Sequence, residues 1–196
     1  MLEFIAFLNS LYPLSAEAQV AMLKVCSEKH LRRGQHWLKE GETCKYLAFI
    51  KRGLLKVYFE SGAKEVALWY NKEMEAVLSV QSFFTQAPSS LSIKAVEEAE
   101  LVIVPYVEIE SLYNRFPEYN RHARLILQHY YSLSEAHVTL LLQPPKQRYD
   151  AILKMYPWMS DGSRLTDKML AAYIGVTPNC LYYYKNGRYD ERKNGI

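Results

Sequence analysis

The spacing of apolar residues along the chain changes character twice. A helical spacing over residues 15–28, behind the N-cap candidate Ser15, predicts a short helix. From residue 31 to residue 104, glycines separate short apolar runs, and residues 54–59 and 66–70 alternate between apolar and polar with period two. Short strands at such spacing predict an antiparallel barrel or sandwich.

After Pro105 the pattern is helical, and the stretch from Pro117 to Gln143 predicts one long helix. Its apolar positions recur in alternating steps of four and three, which is the heptad spacing of a coiled-coil seam. We interpret this segment as a parallel dimerisation helix, and the alternative is a helix packed only on its own domain. The predicted seam consists of Tyr119, Ala123, Ile126, Tyr130, Leu133, His137 and Leu140. Further apolar residues predict that a flank of the helix touches its own domain, at positions 127, 131, 138 and 141.

Composition and charge are those of a globular protein with a basic C-terminal end. The 196 residues are 49% hydrophobic and 23% charged, with a net charge of +3. Because there is neither an apolar run of membrane-spanning length nor a signal peptide pattern, we expect a cytoplasmic protein without a membrane segment. Nine basic and five acidic residues fall in 144–196, against 15 and 16 in 1–143. This excess suits a nucleic-acid-binding module, and a solvated basic face is the alternative.

Residues 166–187 carry the pattern of a helix-turn-helix. Thr166 and Thr177 are N-cap candidates for two short helices, and Pro178 suits the first position of the second helix, where no backbone donor is needed. Gly175 permits a tight turn between them. Two short helices joined in this way predict a helix-turn-helix. Its predicted inner contact consists of Leu170, Ala171, Ile174, Val176, Leu181 and Tyr184.

Three consecutive tyrosines of the second helix divide between two environments. Tyr184 shares the predicted buried face with Leu181, whereas Tyr182 and Tyr183 face outward. In a major groove, a tyrosine hydroxyl bonds a phosphate or a base edge, and an asparagine reads adenine. The candidate DNA-binding residues are Lys168, Thr177, Pro178, Asn179, Tyr182, Tyr183, Lys185 and Arg188. The alternatives are a protein–protein patch for the exposed tyrosines and solvated surface charge for the three cations.

The order of these segments resembles the CRP/FNR family of bacterial transcription regulators over nearly the whole chain. The roll pattern of that family is matched by Gly34, Leu38, Gly41-Glu42, Tyr46-Leu47, Phe49-Ile50 and Gly53. The helix-turn-helix pattern is matched by Leu170-Ala171, Ile174-Gly175-Val176-Thr177, Leu181 and Lys185. The stretch QRYDAILKMYP followed by RLTDKMLAAYIGVTP resembles the Bacteroidetes-type members.

This resemblance implies an α+β fold with three parts. An N-terminal antiparallel β-roll, or double-stranded β-helix, resembles cyclic nucleotide-binding domains and is expected over residues 1–116. The dimerisation helix is expected over residues 117–143. A winged-helix/helix-turn-helix DNA-binding domain is expected over residues 144–196.

The resemblance also points to a pocket that departs from the family pattern. In relatives that bind cyclic nucleotides, a Phe-Gly-Glu-Leu segment and a later Arg-Ser or Arg-Thr hold the ribose and the cyclic phosphate. The matching positions here are Val77, Leu78, Ser79, Ser89 and Ser90. No arginine lies between Arg52 and Arg115, and a buried phosphate without a cation is poorly compensated. We therefore expect no cAMP binding through the usual phosphate contact, and the effector stays unidentified. The nearest cation is Lys94, for which an outward surface charge is the alternative.

A second departure lies in the recognition helix. Tyr183 stands where many relatives present an arginine that grips guanine with two hydrogen bonds. Readout at this position therefore shifts towards phosphate or thymine contacts.

Neither a catalytic nor a metal-binding pattern is found in the sequence. His30 and His36 of the predicted roll have no HxH partner, and the three cysteines form no CxxC pair and are too few for an iron–sulfur cluster. A nucleophile elbow and a phosphate-cradling glycine loop are both missing. We expect no enzyme activity, no metal and no identified cofactor.

The sequence therefore predicts a homodimeric, sequence-specific DNA-binding transcription regulator. Its expected partners are double-stranded DNA and a second copy of the chain, and the resemblance adds RNA polymerase and an unknown small molecule as candidates. The alternative is a degenerate family member that has lost DNA binding and acts as a protein–protein interaction module.

Overall fold

The computed structural model describes residues 1–62, 64–159 and 162–187. The chain divides into two compact units, Met1–His129 and Tyr130–Ile196. This division falls inside the long helix, and the domain boundaries expected after residues 116 and 143 stay predictions.

Two helices open the first unit, α1 (Leu2–Leu11) and α2 (Ala16–Val25). The Ser15 side chain caps α2 by accepting a hydrogen bond from the Ala18 amide at 3.3 Å, as the sequence predicts. The helix ends at Val25 rather than at residue 28, because Cys26 takes an extended conformation that leads into the first strand.

Among the described residues, eight strands form two four-stranded antiparallel sheets, which confirms the predicted β-roll. The sheets have the strand orders β1-β8-β3-β6 and β2-β7-β4-β5. The strands are β1 (Ser27–Leu31), β2 (His36–Leu38), β3 (Tyr46–Arg52), β4 (Leu55–Ser61), β5 (Lys64–Asn71), β6 (Ala76–Val77), β7 (Ser92–Ala95) and β8 (Ala99–Pro105). Helix α3 (Val80–Thr85) lies between β6 and β7, and α4 (Tyr106–Arg115) follows β8.

The period-two pattern places apolar side chains on one face of the sheet that contains β4 and β7, and charged side chains on its opposite face. Leu55 and Val57 of β4 point into the apolar core, as do Ile93 and Ala95 of the neighbouring β7. Side chains between them, such as Lys56, lie on the opposite face of the sheet. Full burial of side chains of the leucine and isoleucine type stabilises the fold by about 1.5–3 kcal/mol each, so this alternation determines the register.

Gly53 allows two turns of the roll to touch. Its φ is +105°, and a Cβ at this position would lie 2.5 Å from the Glu98 carbonyl oxygen and 2.7 Å from the Ala99 Cα. Because any side chain would collide with this backbone, glycine is the only residue that fits here without a shift.

The long helix α5 (Pro117–Leu141) begins in the first unit and is anchored there by buried polar contacts. The Tyr119 hydroxyl donates to the Ala18 carbonyl at 2.8 Å. His122 Nε2 lies 2.9 Å and 2.8 Å from the carbonyl oxygens of Leu8 and Tyr12. Tyr119 and His122 are 3% and 2% exposed, so this stripe of the helix belongs to the core of the first unit.

In the described part of the second unit, four short helical segments follow α5. These are α6 (Pro145–Met155), a 3₁₀ helix (Pro157–Met159), α7 (Asp167–Tyr173) and α8 (Pro178–Lys185). Its buried apolar residues are Leu140, Tyr149, Ile152, Met159, Leu165, Leu170, Ala171, Tyr173, Ile174, Leu181 and Tyr184.

The structure corrects the predicted dimer seam. Tyr119 is buried in the first unit, while His137 and Leu140 are 7% and 3% exposed, with the His137 ring stacked on Tyr173 at 4.6 Å. These side chains are covered by their own chain and are not available to a second copy. The other four predicted seam residues are partly buried, namely Ala123, Ile126, Tyr130 and Leu133. Leu127, Tyr131, Val138 and Leu141, which were expected to touch their own domain, are exposed instead. They form a solvent-facing stripe one position further along the helix, with the partly buried Ser134 between them.

Candidate nucleic-acid interface and effector pocket

The two N-caps of the helix-turn-helix form as the sequence predicts. Thr166 Oγ1 accepts a hydrogen bond from the Met169 amide at 3.3 Å, and Thr177 Oγ1 accepts one from the Cys180 amide at 3.2 Å. Such caps satisfy backbone donors that have no partner inside the helix and stabilise each helix by about 1 kcal/mol. The start of α7 and the start of α8 are therefore both determined by local side-chain chemistry.

The turn between α7 and α8 is held by a side chain from α6. Arg148 Nη1 donates to the carbonyls of Ile174 at 3.4 Å and Gly175 at 3.2 Å, and its Nε donates to the Gln143 carbonyl at 2.6 Å. Gly175 has a φ of +69°, and a Cβ there would lie 2.9 Å from Arg148 Nη1. In the sequence Arg148 counts only towards the basic excess, because its partners lie 26 and 27 residues further along the chain.

Five of the six residues predicted for the inner face of the helix pair are buried, and the sixth, Val176, is partly buried. Leu170, Ala171, Ile174 and Leu181 are at most 1% exposed, and Tyr184 is 5% exposed. The Tyr184 ring lies 5.8 Å from that of Tyr149 on α6. The third tyrosine of the run is therefore a core residue.

The outer face of α8 carries one strip of polar and aromatic side chains. Tyr182 and Tyr183 are 52% and 49% exposed, and their rings meet edge to face at 5.8 Å. Thr177, Pro178 and Asn179 at the start of the helix are exposed as well. Hydroxyl and amide groups in this arrangement can donate to and accept from phosphates and base edges.

The predicted cations of the interface have different environments. Lys185 Nζ pairs with Asp167 Oδ1 at 2.6 Å, which ties the end of α8 to the start of α7. Lys168 is exposed and has no ion pair within the part of the chain that the structure describes. Arg188, and any wing strand after it, lie outside the described residues.

The pocket positions of the roll are filled by serines that satisfy one another. Ser79 and Ser89 are both 3% exposed, and their hydroxyl oxygens lie 2.9 Å apart. Ser89 Oγ also accepts from the Leu91 amide at 3.0 Å and lies 2.8 Å from the Leu91 carbonyl. Val77 is buried and Leu78 partly buried, whereas Ser90 is exposed. We call Ser79 and Ser89 the serine pair.

The cation nearest to these serines in sequence points elsewhere. Lys94 forms an ion pair with Glu65 on the sheet face opposite the core, and its Nζ lies 5.0 Å from the centre of the Tyr58 ring. Lys56 pairs with the same carboxylate. Burial, together with the charges of Lys39 and Lys94, lowers the pKa of the neighbouring His36. Lys56, which is 9% exposed, and the partly buried Lys94 therefore form a cluster around Glu65 on that sheet face.

The Cys44 thiol close to the pocket is 2% exposed. Burial raises the pKa of the Cys44 thiol, whose backbone amide donates to Ser82 Oγ at 2.9 Å. Within the described ranges, no three His, Cys, Asp or Glu side chains are placed to hold a metal ion. None of the described helices is both long and apolar enough to cross a membrane.

Comparison with known proteins agrees with this geometry. Residues 28–116 match the cyclic nucleotide-binding domain family. A solved transcriptional regulator described as a member of the CRP/FNR family, from Eubacterium rectale, is 14% identical over 89% of this chain and 85% of its own, with a TM-score of 0.69. The chain has the CRP/FNR fold.

Two further solved structures share the CRP/FNR fold with this chain. FixK2 from Bradyrhizobium japonicum is 15% identical over 83% of this chain and 84% of its own, with a TM-score of 0.71. The c-di-GMP-responsive global regulator CLP from Xanthomonas campestris is 15% identical over 88% of this chain and 91% of its own, with a TM-score of 0.65. No curated protein matches the sequence significantly. Assignment to the Bacteroidetes type stays a prediction.

The serine pair predicts a local stability effect. Ser89→Ala removes the hydroxyl that the buried Ser79 side chain and the Leu91 amide use, and an unsatisfied buried polar group costs about 1–3 kcal/mol. We expect the free energy of unfolding, measured by urea denaturation, to fall by about this amount. Ser90→Ala, one residue away and exposed, should change it by less than about 0.5 kcal/mol. Equal effects of both substitutions would contradict the described hydrogen bonds.

Proposed function

We propose that this chain is a homodimeric, sequence-specific DNA-binding transcription regulator that acts in the cytoplasm. The observation that carries the proposal is the outer face of α8, on which Asn179, Tyr182 and Tyr183 stand exposed on a capped, tightly packed helix-turn-helix. A rigid helix that presents polar side chains on one face is what a major-groove reader requires.

The contacts we propose follow from the residue types. The hydroxyls of Tyr182 and Tyr183 bond phosphates or base edges, their rings meet thymine methyl groups, and Asn179 reads adenine. Lys168 and Lys185 contact phosphates, with Lys185 shared between its partner Asp167 and the DNA. Thr177 and Pro178 bring the start of α8 and its backbone amides close to the groove.

Dimerisation is proposed through the exposed stripe of α5. Leu127, Tyr131 and Val138 are 44%, 68% and 57% exposed, and together with Ser134 and Leu141 they follow the heptad steps of four and three. Apolar residues at this spacing on a solvent-facing helix are buried by a second helix of the same kind, so the occupant we propose is a second copy of this chain.

The roll is proposed to act without cAMP in the usual pose. Ser79 and Ser89 replace the acidic and basic groups of the ligand-binding relatives, and their hydroxyls already bond each other. A small molecule that shifts the population of reader orientations remains the proposed route of control. RNA polymerase is a proposed partner of the DNA-bound dimer.

A second candidate function is a protein–protein interaction module. It is favoured by the Lys185–Asp167 pair, which offsets part of the positive charge of the reader, and by the two exposed tyrosines. Salt dependence separates the two candidates, because only binding to a polyanion releases condensed counterions.

One test of the proposed DNA contacts is binding to a fluorescent mixed-sequence duplex of about 30 base pairs, long enough for two half-sites. If Lys168 and Lys185 of each protomer contact phosphates, the logarithm of the association constant should fall with the logarithm of salt concentration with a slope of about −4. Lys168→Ala removes two phosphate contacts from the dimer and should therefore change the slope from about −4 to about −2.

The matched control is Lys154→Ala, which removes another exposed cation of the second unit outside the proposed interface. It should leave the slope unchanged. A slope near zero for the unmodified protein, or equal changes from the two lysine substitutions, would contradict DNA binding through this face.

A separate prediction concerns the assembly state. Tyr131→Lys or Val138→Lys places an unpaired charge in the proposed seam and should raise the dimer dissociation constant at least about tenfold, measured by sedimentation equilibrium. Ser132→Lys adds the same charge about 100° around the helix from Tyr131 and should have little effect. A monomeric unmodified protein, or a dimer insensitive to Tyr131→Lys, would refute this seam.

A further inference from the structure

A second candidate binding site lies in the first unit and shares no residue with the serine pair. It is a cleft of about 390 Å³, within the size range of sites for small ligands. Its polar lining consists of His30, Arg32, Gln35, Arg52, Glu98 and Glu100.

The strand register brings these side chains together from distant parts of the sequence. Glu100 of β8 is the direct cross-strand neighbour of His30 on β1 and of Arg52 on β3. Direct neighbours on adjacent strands point to the same face of a sheet. An imidazole, a carboxylate and a guanidinium therefore form one row across three strands.

The rest of the cleft is held by short, well-defined turns. The Arg32 amide donates to Gln35 Oε1 at 3.0 Å, and the Gly34 amide donates to the Ala95 carbonyl at 2.8 Å. On the other side, Gly53 brings its turn against the backbone of Glu98 and Ala99. Because backbone contacts build these walls, the cleft is preformed.

The charges of the cleft are incompletely paired. Lys51, next to Arg52, pairs with Glu28 at 2.8 Å and lies 3.9 Å from Glu100. The guanidinium groups of Arg32 and Arg52 have neither an ion pair nor a hydrogen bond to any residue that the structure describes. Each presents several N–H donors in the planar arrangement that suits phosphate and carboxylate groups.

We propose that this cleft binds a small phosphate ester that also carries hydroxyl groups, of the sugar phosphate class. Arg32 and Arg52 hold the phosphate, while Glu98 and Glu100 accept hydrogen bonds from hydroxyls and Gln35 donates to them. No Phe, Tyr or Trp side chain lines the cleft, and its one aromatic ring is the imidazole of His30, so the lining offers little surface on which a base would stack. The two carboxylates also disfavour a continuous nucleic-acid backbone, which carries a negative charge at every residue.

Isothermal titration calorimetry on the intact protein tests this proposal, with ribose 5-phosphate, inorganic phosphate and ribose as separate probes. We expect saturable binding of ribose 5-phosphate, weaker binding of inorganic phosphate and no heat from ribose. The arginines recognise the phosphate, and hydrogen bonds from the sugar hydroxyls to the carboxylates strengthen the binding of the sugar phosphate. Absence of saturable binding of ribose 5-phosphate at millimolar concentration would overturn the proposal.

Substitutions distinguish binding in the cleft from nonspecific attraction of anions to surface arginines. Arg32→Gln and Arg52→Gln should each weaken ribose 5-phosphate binding by about tenfold or more, since each removes charge-assisted hydrogen bonds. Arg33→Gln is the matched control, because Arg33 is an equally exposed arginine that does not line the cleft. Equal weakening by all three substitutions, or displacement of the sugar phosphate by a short DNA duplex, would overturn the proposal.

Unchanged thermal unfolding of the arginine variants shows that a loss of binding does not come from a loss of folding. The experiment contains no regulatory DNA, so its outcome is independent of the proposed function of α8.

Discussion

A face of a helix that packs against its own chain cannot also pack against a second copy, and one face of α5 is already buried in this way. Tyr119 and His122 hold the start of this helix through buried hydrogen bonds to carbonyls of Leu8, Tyr12 and Ala18. The solvent-facing stripe at Leu127, Tyr131 and Val138 is what remains for a second copy. The proposed symmetry of the protein, and with it the spacing of two readers on DNA, depends on this division of the helix surface.

The two units differ in which of their polar groups already have hydrogen-bond or ion-pair partners. In the roll, Ser79 and Ser89 satisfy each other, so that the expected ligand pocket offers no unpaired charge. In the second unit, the Arg148 guanidinium is hydrogen-bonded to backbone carbonyls of the turn, and Lys185 is paired with Asp167. The exposed polar strip of α8 and the unpaired arginines of the roll cleft stand out because most other polar groups already have partners.

Local chemistry was predictable from the sequence, and contacts between distant residues were not. Thr166 and Thr177 cap their helices with their own side chains, and Gly175 accepts a positive φ because it has no Cβ. The helix-turn-helix and its buried tyrosine could therefore be predicted. The heptad pattern does not distinguish two neighbouring stripes of one helix, and the predicted seam therefore lay one position away from the exposed one. Arg148 and the row through Glu100 depend on turn packing and strand register, which a single sequence does not reveal.

Selection of bound sequences from a random duplex DNA library, with and without cAMP, tests the proposed regulator most directly. A symmetric dimer with two α8 readers predicts an enriched palindrome with half-sites about 34 Å apart, the same in both conditions. Absence of any enriched sequence would contradict sequence-specific DNA binding, and enrichment only with cAMP would contradict the role we give to Ser79 and Ser89.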